Sequence, residues 1–79
     1  MGEKEAALAD YEQARAVFAR LAADLPAVPE YRRLLAASHN NLALLLRDMG
    51  QPLAAEPAHR AALAIGEKLA VDLDRKSVV

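Results

Sequence analysis

Few side chains in this chain of 79 residues are of a type and spacing that could do chemistry. Its two histidines, His39 and His59, fall in separate segments, and there is no cysteine, so no cluster with metal-ligand spacing can be drawn. Carboxylates come close together at Glu3 and Glu5 and at Asp72 and Asp74, at helix ends where solvation rather than acid–base work is expected. Ser38 and Ser77 have no partnered base in sequence, and neither sits in a nucleophile elbow. Gly50 and Gly66 stand alone, so no phosphate-cradling loop exists. These residues predict no catalysis, no metal and no cofactor.

The elements carrying these residues are helical. Apolar content comes mainly from Ala and Leu, with one Phe, two Tyr and no Trp, which suits closely packed helices. A net charge of −1 with both signs interspersed argues against a nucleic-acid or anionic-membrane partner. No apolar run approaches the ~20 residues of a membrane span. The charged start, Met-Gly-Glu-Lys-Glu, lacks the apolar centre of a signal peptide, which gives a cytoplasmic expectation.

Periodicity divides the chain into three helices. Residues 3–25 carry Leu8, Tyr11, Ala14, Phe18, Leu21 and Leu25 at alternating steps of three and four. Pro26 and Pro29 then push Leu25 and Val28 out of the helical region. Residues 30–48 form a second helix with a stripe through Tyr31, Leu34, Leu35, Ser38, Leu42, Leu45 and Leu46. Gly50 is placed for a left-handed C-cap and Pro52 for the start of a third helix, residues 53–73. Pro57 is awkward inside that helix, so an irregular first turn is expected there, or a kink if the helix begins at Leu53. The tail, residues 74–79, is expected to fray. Small residues Ala43, Ala55 and Ala62 recur where two antiparallel helices need close approach. The fold class is therefore all-α, one domain: an antiparallel helical hairpin plus one preceding helix.

The hairpin resembles a tetratricopeptide repeat, whose pattern runs Trp-x2-Leu-Gly-x2-Tyr, then Ala-x3-Phe, then Pro. His39 stands at the Trp position, Leu42-Ala43 at Leu-Gly and Leu46 at Tyr; Gly50 falls in the inter-helix turn, and Ala55 and His59 stand at Ala-x3-Phe. The Trp, both aromatics and the closing Pro are replaced, so spacing and small residues carry the likeness. The first helix also matches the third. Leu21-Ala22-Ala23-Asp24-Leu25 aligns with Leu69-Ala70-Val71-Asp72-Leu73, at the 48-residue offset that takes Tyr11 to His59 and Phe18 to Gly66. The family's standard period is 34 residues. The excess is roughly four helical turns, two per helix, similar to the longer-helix variants in kinesin light chains and bacterial multi-repeat proteins. About one and a half repeats of an α-solenoid are implied.

The resemblance implies protein–protein interaction, since the first helix of each repeat in that family lines a groove. Asn41 resembles the Asn that clamps a peptide carboxylate in co-chaperone repeats, and Asn40, Leu44 and Arg47 complete the candidate peptide-binding set. The competing reading of Asn40 and Asn41 is a pair that satisfies inter-helix polar groups. Arg32, Arg33 and Arg47 have two readings as well, a solvated face or a contact for an acidic peptide. The expected partner is a protein or peptide, or another copy meeting exposed repeat ends. The alternative is a structural repeat of a larger scaffold, of the kind that in bacterial relatives can be attached to signalling domains such as kinases, with no ligand of its own.

Overall fold

The computed structural model describes the backbone of residues 2–78 and the side chains of residues 2–72. It contains α1 (Glu3–Asp24), α2 (Pro29–Asp48) and α3 (Pro52–Val78), with no strand among the described residues. The fold is all-α, a hairpin of α2 and α3 preceded by α1.

Each break between helices has a local cause. After α1, the amide of Val28 donates to the carbonyl of Leu25 at 3.0 Å, closing a turn with Pro26 at its second position. Val28 is extended (φ −100°, ψ 101°), as a residue before proline must be, and Pro29 opens α2 where its missing N–H costs nothing. After α2, Gly50 adopts φ 78°. Its amide reaches the Arg47 carbonyl at 3.0 Å, while that of Gln51 reaches back to Leu46 at 2.8 Å. That pair of bonds is a Schellman cap, and only glycine enters its left-handed position without strain. Pro52 then begins α3 at once.

The third helix departs from expectation at both ends. It starts at Pro52, and the Ala55 amide donates to the Gln51 carbonyl at 3.1 Å, so the first turn is regular and Pro57 lies inside the helix. The carbonyl that Pro57 leaves unpaired belongs to Leu53, which is 84% exposed, so water can satisfy it. At the other end the helix runs through Val78, past the expected stop at 73 and through most of the expected frayed tail; Val79 lies outside the described residues.

α2 is the middle of the molecule. It packs against α1 on one side and α3 on the other, while among the described residues no Cα of α1 comes within 8 Å of one in α3. A width of 22 Å is what three helices side by side require at about 8–10 Å spacing. Both pairings are antiparallel, clamped by Lys4–Asp48 at 2.9 Å and Arg32–Asp72 at 2.8 Å. The core lies on α2 and α3: Leu42, Ala43 and Ala55 are each 2% exposed, joined by Leu69 and Ser38. Ala43 and Ala55 thus make the close approach their size allows. α1 contributes no buried residue. Phe18 is only half-buried, and His59 and Gly66, expected at core positions, are exposed. With one neighbour each, the outer helices have no second surface to cover those positions.

The single layer leaves much surface open. The accessible area is 5670 Å², about 1,000 Å² above the roughly 4,700 Å² of a compact chain of this mass. The radius of gyration of 14.0 Å likewise exceeds the ~11.6 Å of a compact chain.

Candidate functional site

α2 has two free faces, one on each side of the layer. Asn40, Asn41, Leu44 and Arg47 all lie exposed on the outer one. At about 100° per residue, Asn41 and Leu44 point toward the α1 flank, while Asn40 and Arg47 share a line seven residues apart toward α3. The structure brings Asn41 and Leu44 together with Tyr11 of α1, Leu45 and Asp48 around an open groove of about 250 Å³. Asn40 and Arg47 do not line it. Asn41 also borders an adjoining hollow of about 220 Å³ beside Tyr11, Phe18 and Leu34.

The groove is amphipathic. Leu44, a large apolar group, is 54% exposed. The amide of Asn41 and the phenol of Tyr11 supply donors and acceptors in the same groove. Asp48 pairs with Lys4, which offsets the one carboxylate at the groove's end. An extended or helical segment with an apolar anchor fits this chemistry better than a purely acidic one. Sequence reasoning read Tyr11 as core. Its joining of Asn41 depends on how α1 sits on α2, which no local pattern encodes.

On the opposite face, α1 and α3 flank a second groove of about 200 Å³ whose floor is His39, Leu42 and Leu46. Glu12 and Arg15 border it from α1, Pro57 and Ala61 from α3. Burial pushes the His39 imidazole below its ordinary value of 6.5, and the Arg15 guanidinium pushes it further. Its Nδ1 is buried without a hydrogen-bond partner. Glu12, Arg15 and His39 are the groove's ionisable groups, among alanines, leucines and Pro57. The hydroxyl of Ser38 is committed elsewhere, donating to the Leu34 carbonyl at 2.9 Å. Among the described residues no group of three or more His, Cys, Asp or Glu could hold a metal ion, and no helix is long and apolar enough to cross a membrane.

No family model matches the chain, no curated protein matches it, and no solved structure matches it.

Proposed function

We propose that the chain is a non-catalytic protein–protein interaction module of tetratricopeptide type, holding a segment of a partner protein on the outer face of α2. The observation that carries this reading is Leu44, a half-exposed leucine on the central helix that lines one open groove together with the polar side chains of Asn41 and Tyr11. Exposed apolar groups rimmed by polar ones mark contacts, and an apolar anchor with flanking amides is how helical grooves hold peptides. Asn40 and Arg47 would form the rim toward α3 rather than the groove itself. Panning a displayed library of random peptides against the chain tests this, with Leu44→Lys and Asn41→Ala as counter-selections. Binders sharing an apolar anchor and lost on Leu44→Lys are expected. Binders that ignore both substitutions would remove the α2 face from the proposal.

A second reading, a structural repeat of a larger scaffold, is favoured by the open area. The roughly 1,000 Å² of excess surface is similar to the ~800 Å² each partner buries in a standard interface. Under this reading the peptide library yields nothing, and the chain gains stability only when joined to flanking helices.

A further inference from the structure

α1 and α3 match each other in sequence, yet they meet α2 with different faces. α3 uses Ala55, Ala58, Ala61, Ala62, Ile65, Leu69 and Asp72, the residues along it that lose exposure, and Asp72 takes the Arg32 guanidinium at 2.8 Å. Forty-eight positions earlier, α1 carries Ala7, Asp10, Gln13, Ala14, Val17, Leu21 and Asp24. Four of the seven are identical, Val17 replaces Ile65 by one methylene less, and Asp10 and Gln13 stand where α3 has alanine. α1, however, meets α2 with a face rotated from this one, through Leu8, Arg15, Phe18 and Ala22. Ala7, Ala14 and Leu21 sit half-covered at the edge between the two faces. Asp10, Val17 and Asp24, spaced every seven residues along one line, are exposed, and Val17 is 55% so. Asp24 makes no ion pair among the described residues.

We infer that this face of α1 is a second seat for a helix of the α2 type, supplied by a partner: antiparallel to α1, small and apolar along one side, with an arginine in its first turns to meet Asp24. The occupant's chemistry is read from the one helix that fills the equivalent seat on α3. Charge supports it, since Asp10 and Asp24 bracket Val17, with Arg20, one turn before Asp24, the cation beside their line. A second copy of this chain is a poor occupant, because its own α2 is already covered on both flanks. The inference rests on the reading of the chain as a repeat unit that accepts partners at its open ends.

A labelled peptide of residues 28–49, the chain's own α2, is the probe, titrated into the full chain and followed by fluorescence anisotropy. Saturable binding is expected, weakened about tenfold or more by Val17→Glu. Asp24→Arg should weaken it about threefold, and a peptide carrying Arg32→Glu should recover that loss on the Asp24→Arg chain alone. Asp24 is exposed and makes no ion pair among the described residues, so its variant keeps the test sound if Val17→Glu misfolds. No binding, or binding indifferent to Val17 and Asp24, overturns the seat. Self-association abolished by Val17→Glu would make a second copy the occupant and overturn the assignment too. Neither result touches the α2 groove, whose test turns on Leu44 and Asn41.

Discussion

At Gly66 the chain gives up helix propensity without a visible return. The residue lies inside α3, it is exposed, and a Cβ added there would meet nothing within 4 Å. Gly66→Ala should therefore stabilise the fold by about 0.5–1 kcal/mol, read as a shift in urea midpoint with unchanged slope. A loss would mean that a partner's backbone approaches there. His39 is the residue through which pH should act. Its folded pKa is lowered, by burial first and Arg15 second, so the unfolded chain binds the proton more tightly. That contribution is fully present above the unfolded value near 6.5 and is lost as pH falls through and below it. Of the groups bordering it, Arg15 opposes the proton and Glu12 is the one carboxylate, with no charge coming from α3. Chemical denaturation of the chain and of His39→Gln should diverge below neutral pH, the variant losing less; parallel curves would show that His39 opens to water before it titrates.

Among the elements, α3 holds a second unfavourable residue besides Gly66 whose removal should help. Pro57 deletes a hydrogen bond five residues after the helix begins, and its ring lines the His39 groove without being buried. Pro57→Ala should raise stability by about 1–3 kcal/mol, seen in thermal unfolding by circular dichroism. No gain would mean that the ring's packing offsets the lost bond. At the α2–α3 contact the reverse holds: Ala43→Leu must force the helices apart, costing about 1–3 kcal/mol in the same assay. Helix boundaries were legible because their causes are local, namely Pro26, Pro29, Gly50 and Pro52. The first turn of α3 was misread as irregular because Pro57 was weighed by its own propensity, while Pro52 and the Gln51–Ala55 bond had already launched the helix. The i, i+3 pairing of Asn41 with Leu44 was legible for the same local reason. Tyr11 was not, and neither was the exposure of His59 and Gly66. A 3.6-residue period reveals which side of a helix is apolar, but not whether a neighbour exists to cover it.

For the whole molecule, stability should be graded across the layer. α2 is covered on both flanks and holds Ser38, Leu42 and Ala43, whereas α1 is covered on one and buries nothing. Hydrogen exchange should show the strongest protection around Ser38–Ala43 and the weakest along α1, which opens without disturbing the hairpin. Uniform protection in all three helices would mean that the chain unfolds as one unit. The separation of α1 from α3 also bears on how the chain finds this shape. Every pairing joins helices adjacent in sequence through connections of a few residues. No distant segment has to be brought back, so the entropy of loop closure is small at every step and folding should be fast for the chain's length. A helix emerging from the ribosome can dock on the one made just before it. The order of synthesis and the order of assembly can then be the same.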